Sequence, residues 1–134
     1  MATSEVTYLG GLRTESIHLQ SGDKIITDAP VDNKGKGEAF SPTDLLATSL
    51  GNCMLTIMGI AADTHGINIE GTTCSITKVM AAEPRRVGEI QATLQFPANN
   101  YSDKEQKILQ NAALTCPVYL SLHPDLKKTV DFKW

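Results

Sequence analysis

The chain has 134 residues, a formal net charge of −3, 41% hydrophobic residues and three cysteines. That length fits a single domain, residues 1–134, able to bury roughly two thirds of its unfolded surface. Mild acidity, with only the isolated basic pairs Arg85-Arg86 and Lys127-Lys128, argues against nucleic acid or an anionic membrane as a partner.

In chain order, the opening Met-Ala-Thr-Ser-Glu-Val lacks the basic and apolar regions of a signal peptide. Three cysteines without a dense framework fit reduced thiols, so the expected location is the cytoplasm. Thr7-Tyr8-Leu9 reads as a strand ending at the turn signal Gly10-Gly11. Leu12 to Leu19 then alternates: Arg13, Glu15, Ile17 and Leu19 share one face, and Leu12, Thr14, Ser16 and His18 the other. Ser21-Gly22-Asp23 turns the chain into a third short strand, Lys24 to Thr27, which completes an antiparallel meander. Residues 32–39 form a polar loop. Its glycines are not a phosphate cradle, because the Gly-x-x-x-x-Gly-Lys spacing and a preceding apolar strand are both missing.

The first helix starts sharply. Ser41 is placed to cap it, Pro42 suits its first position and Asp44 completes a capping box. Leu46, Leu50, Cys53, Met54, Ile57, Ile60 and Ala61 recur at helical spacing. Leu45 to Ala62 carries no charge, which meets the length criterion for a membrane span. Thr48, Ser49, Gly51, Asn52, Thr56 and Gly59 dilute it, however, and no positive cluster flanks it, so a helix buried in a soluble core is expected. A helix apolar nearly all round needs cover on several sides. Its span to His65-Gly66, about 35 Å, is long for so small a domain and predicts a second copy covering part of it.

After Gly66, strand patterns run over Ile67-Asn68-Ile69, Thr72 to Met80 and Arg86 to Phe96, with Glu83-Pro84 as a turn. Ser102 and Glu105 form a second capping box. The helix behind it carries Leu109, Ala112, Ala113 and Cys116 as its apolar stripe. Pro117 disfavours helical geometry at Cys116 and either stops that helix or opens a short turn of helix reaching toward His123-Pro124. Thr129 to Trp134 closes the chain as a strand.

Free cysteine is among the most buried residue types and usually just packs. Cys53 and Cys116, however, fall on buried faces of the only two substantial helices, and Cys116 precedes proline at a helix break. Reactivity needs a thiolate. Cys53 lies about three turns into its helix, beyond the reach of the dipole, so a cation must lower its pKa, and Arg13 is the candidate. At a helix start, Cys116 would meet free N–H groups that favour a thiolate. Cys74, in a strand, reads as structural. His18, His65 and His123 are scattered and no Cys-x-x-Cys exists, so no zinc site is expected. Without a nucleophile elbow or a cofactor motif, any redox chemistry would run on the thiols themselves.

The run Ser-Pro-Thr-Asp-Leu-Leu-Ala…Leu-Gly-Asn-Cys-Met (41–54), Cys-Pro-Val (116–118) and an early strand arginine resemble the OsmC/Ohr family of osmotically inducible and organic hydroperoxide resistance proteins, in its OsmC-like branch. The resemblance implies an α+β fold with antiparallel sheets packed around two central helices in an intertwined homodimer. It also implies a cofactor-free, thiol-dependent peroxidase acting on organic hydroperoxides. Cys53 would become a sulfenic acid and Cys116 would resolve it as a disulfide. Arg13 would stabilise the thiolate and the leaving alkoxide, and a lipoyl-type dithiol would be the reductant. Where family members carry a glutamate that helps to hold the arginine, this chain has Thr43. Asp44 is expected to be taken by capping, which leaves Glu38 as the substitute. Thr43 also motivates a rival reading, a non-catalytic module binding a small apolar ligand; a peroxide sensor is the third. Met54, Met58 and Phe40 would favour organic peroxides over hydrogen peroxide, although ordinary core packing explains them as well.

Overall fold

The structure, a computed structural model, describes residues 1–134. The chain runs through β1 (Ser4–Gly10), β2 (Arg13–His18), β3 (Lys24–Asp28), a 3-10 turn (Val31–Asn33), α1 (Pro42–His65), β4 (Thr73–Ala81), β5 (Arg86–Gln95), α2 (Asp103–Leu114), α3 (Pro117–Ser121) and β6 (Lys127–Lys133). It divides into two compact units, Met1–Leu45 and Leu46–Trp134.

In the first unit β1, β2 and β3 form the expected antiparallel meander. Leu12 belongs to its first turn rather than to the strand. With Gly10 and Gly11 it has positive φ, a conformation that costs a leucine more than a glycine, and its N–H donates to the Tyr8 hydroxyl at 3.3 Å. The β2–β3 register pairs Ile17 with Lys24 and therefore Arg13 with Asp28. The loop after β3 then folds back onto the strand end. The Ala29 N–H reaches the Leu12 carbonyl at 3.0 Å and the Asp28 N–H reaches the Phe40 carbonyl at 3.1 Å. Gly35 makes this fold possible, because a Cβ there would lie 1.7 Å from the Ala29 oxygen. This return of the loop brings Glu38 beside Asp28.

The α1 helix begins with the anticipated box. The Ser41 hydroxyl accepts the Asp44 N–H at 3.1 Å, and the Asp44 carboxylate accepts the Ser41 N–H at 3.0 Å. Gly66, in the left-handed region, ends the helix while the Ile67 N–H bonds back to the Ala62 carbonyl at 2.8 Å. Twenty-four residues make α1 about 36 Å long. By length and hydropathy alone it could cross a bilayer. Its Ala47, Leu50, Met54, Met58 and Ala62 stripe is instead buried in the protein, clustered with Ile90 and Leu94 of β5 and Leu109 and Ala113 of α2. Gly51 allows β4 to come close: a Cβ there would meet Ile76 at 3.1 Å and the Cys74 sulfur at 3.3 Å.

The second sheet corrects two expectations. Its order is β4-β5-β6, with β4 and β5 antiparallel but β5 and β6 parallel. A wholly antiparallel arrangement fails because the chain leaves β5, crosses through α2 and α3, and returns in the same direction. Residues 67–69 are not a strand. The Asn68 carbonyl accepts from the Tyr101 hydroxyl at 2.6 Å, and the Thr72 N–H turns back to the Ile69 carbonyl at 3.0 Å. These groups are therefore satisfied outside any ladder.

Candidate active site

The candidate residues fall into two clusters, one in each unit. The first is the thiol pair. The α2 helix ends at Leu114, so Cys116 is not on its stripe; Pro117 opens α3 and Cys116 is that helix's N-cap. Pro117 has no N–H, which makes Val118 and Tyr119 the first donors of α3. The Tyr119 N–H points to the Cys116 sulfur and the Val118 N–H to the Cys53 sulfur, each at 3.4 Å. Sulfurs 63 positions apart in sequence thus converge on one helical turn. Cys53 is half-buried, Cys116 has no exposed surface, and neither is in a disulfide.

The N–H groups at the helix start favour a Cys116 thiolate, as expected, but burial outweighs them. Burial pushes its thiol pKa up; the Tyr119 N–H pulls the other way, and the neighbouring Cys53 sulfur adds to the rise. Cys116 is therefore a protonated thiol beside the Cys53 sulfur. Cys74 is separate. It is half-buried on β4, its pKa is raised by burial, and it faces Gly51. Gly51 lies two residues, about 200° of helical rotation, from Cys53. Met54 and Met58 are fully buried core residues, in line with ordinary core packing.

The second cluster holds Arg13. Its Nε donates to Asp28 Oδ1 at 2.7 Å and its Nη2 to Asp28 Oδ2 at 2.9 Å and to Glu38 Oε2 at 3.1 Å. The Glu38 N–H also donates to Asp28 Oδ2 at 3.1 Å. Paired with these carboxylates, the Arg13 guanidinium is held above its ordinary value; the Arg13 hydrogen bonds hold Asp28 below its own, against its burial. The Nη1 edge donates to neither carboxylate. Glu38 takes the place foreseen for it, but the two-point holder is Asp28, which is not among the expected site residues. Counting residues back from the Ser21–Asp23 turn would have paired it with Arg13. Asp44 is occupied by capping, as expected, and the Thr43 hydroxyl sits 3.2 Å from that of Ser41. No group of three or more histidine, cysteine or acidic residues is arranged to hold a metal ion.

Residues 35–131 match the model of the OsmC-like protein family. The chain belongs to that family. A solved structure from Psychrobacter arcticus 273-4, described as a candidate osmotic stress induced and detoxification response protein, is 62% identical. It covers 98% of this chain and 96% of its own, with a TM-score of 0.94. An organic hydroperoxide resistance protein OsmC from Legionella pneumophila shares the fold at 16% identity and a TM-score of 0.74, covering 100% of this chain and 98% of its own. A Vibrio cholerae protein described as a candidate organic hydroperoxide resistance protein, solved with captopril in one of its active sites, does so at 12% identity and 0.75, covering 98% and 92%. These two establish the α+β OsmC fold alone. Among curated proteins none matches this OsmC-like sequence.

Proposed function

We propose that this OsmC-like protein is a cysteine-based peroxidase that reduces organic hydroperoxides. The observation that carries the proposal is the convergence of the Cys53 and Cys116 sulfurs on the first turn of α3. The Cys53 thiolate attacks the terminal oxygen of ROOH; the O–O bond breaks, and the alkoxide leaves and takes a proton as ROH. Cys53 is then a sulfenic acid. The Cys116 sulfur attacks it, its proton leaves with the hydroxyl as water, and a Cys53–Cys116 disulfide remains. A dithiol, of the lipoyl type in the family resemblance, reduces that disulfide and is itself oxidised.

Arg13 is the cation assigned to the thiolate and the departing alkoxide. Its two carboxylate contacts support the assignment, since they fix the guanidinium and leave its Nη1 edge for another acceptor. The names of the Legionella and Vibrio structures agree with the substrate class. The working form is a cytoplasmic homodimer. Asp28 and Glu38 supply Arg13 with the carboxylates that Thr43 does not, which supports the enzyme over the rival binding module.

The test is peroxide consumption with tert-butyl or cumene hydroperoxide and dihydrolipoamide. The parent is expected to turn over, and Cys53→Ser to fall to the uncatalysed rate. A Cys53→Ser variant as active as the parent contradicts the mechanism, and stoichiometric oxidation without turnover on any dithiol points to a sensor.

A further inference from the structure

The second unit contains a cavity that the thiol chemistry does not use. It measures about 660 Å³ and is lined by Leu46 at the start of α1, Val87 on β5 and Leu126 before β6, with Arg86, His123 and Asp125 at its polar side. That volume falls within the range of small-molecule sites, and the lining combines apolar walls with a few polar groups. Val87 and Leu126 are each 8% exposed and form the floor, while Leu46 is 41% exposed and offers a bare apolar wall.

The decisive group is Arg86. Its Nη1 donates to the carbonyls of Ala82 at 3.1 Å and Pro84 at 2.8 Å, which fixes the guanidinium. Its Nε and Nη2 make no hydrogen bond or ion pair. That free edge is the same two-donor fork through which Arg13 holds the Asp28 carboxylate at 2.7 and 2.9 Å. A planar fork of this kind matches a carboxylate bidentately. His123 adds a donor: its Nδ1 accepts the Asp125 N–H at 3.0 Å, which leaves the proton on Nε2. The Asp125 carboxylate, 3.9 Å from His123 Nδ1, is 92% exposed and therefore weakly opposing.

We propose that this cavity binds an amphipathic carboxylate, with the head on the free Arg86 fork and the apolar body on Leu46, Val87 and Leu126. The site is independent of the peroxidase reading, because the ligand need carry no peroxide and binding consumes no thiol.

Calorimetric titration of the reduced full-length protein with sodium octanoate and, separately, with 1-octanol tests it. Octanoate is expected to bind saturably, one per chain, at least about tenfold more tightly than octanol. Arg86→Ala, checked for parental circular dichroism, is expected to lose about that factor for octanoate and little for octanol. Arg86→Lys, a point charge without a fork, is expected to fall between. The proposal is overturned by equal affinity for the two ligands, by an Arg86→Ala protein that binds octanoate as the parent does, or by no saturable binding. Should Arg86→Ala not fold, the comparison of octanoate with octanol on the parent decides alone.

Discussion

Cys116 has a polar helix start on one side and complete burial on the other. Burial wins, since two N–H contacts at sulfur are weak compensation for desolvating a thiolate. A thiol whose pKa is raised by folding contributes stability below its unfolded pKa that is lost as pH rises through the folded value. Thermal melts are therefore expected to show the parent losing Tm above about pH 8.5, with a smaller loss in Cys116→Ser. Asp28 has the opposite sign. Its folded pKa is depressed by Arg13, so its contribution is present above the unfolded value near 3.8 and is lost as pH falls below it. Asp28→Asn should remove that acid-side dependence. It should also lower peroxide turnover, because the neutral amide keeps one acceptor oxygen for Arg13 and turns an NH2 donor toward its second N–H, so the two-point grip is lost. Melts from pH 2 to 6, with hydroperoxide assays at pH 7, check both outcomes. The two cysteines of the proposed site and Arg13 were legible in the chain from helical spacing, the Cys-Pro break and the family pattern. Asp28 was less legible, because its role depends on counting out the strand register from the Ser21–Asp23 turn, and a one-residue slip would have turned it to the other face.

At the scale of elements, helices announced themselves best. The boxes at Ser41–Asp44 and Ser102–Glu105 are local chemistry, readable within four residues, and both form as expected. Strand existence was nearly as clear, but strand direction was not. Whether β6 runs with or against β5 depends on the crossover through α2 and α3, which no local pattern encodes. The Ile67-Asn68-Ile69 alternation misled because three residues fit a strand and a turn equally well. Its fate was decided by the distant Tyr101 hydroxyl. The closeness of α1 and β4 gives a sharper test. Gly51→Val would place methyl groups where Ile76 and Cys74 already stand, and overpacking of this kind costs about 1–3 kcal/mol. Urea denaturation should show a lower midpoint for this variant. A parental midpoint would mean that β4 can retreat without cost.

On the whole-molecule scale, apolar surface is left uncovered in the single chain. Val6, Tyr8 and Ile25 are at least half exposed on the first sheet, and Ile60 is 59% exposed on α1. A long, nearly all-round apolar helix was the sequence's reason to expect a second copy, and the exposure of Ile60 keeps that reason in force. A homodimer is the proposed working form, so sedimentation equilibrium at micromolar concentration should give twice the 14.5 kDa chain mass. A Val6→Asp, Ile25→Asp double variant should shift the equilibrium toward the single chain if the first sheet contributes to the interface. A parent that sediments at the chain mass would contradict the dimer and leave the thiol chemistry to one chain.

In the proposed mechanism Cys53 and Cys116 act on each other. Reduced protein treated with one equivalent of tert-butyl hydroperoxide, alkylated and analysed by peptide mass spectrometry, tests it most directly. The predicted product joins the Cys53 and Cys116 peptides through a disulfide with Cys74 alkylated, and Cys116→Ser instead leaves a dimedone-reactive sulfenic acid on Cys53. Free, alkylatable Cys53 and Cys116 after peroxide is consumed, or a disulfide that involves Cys74, would contradict a Cys53–Cys116 mechanism.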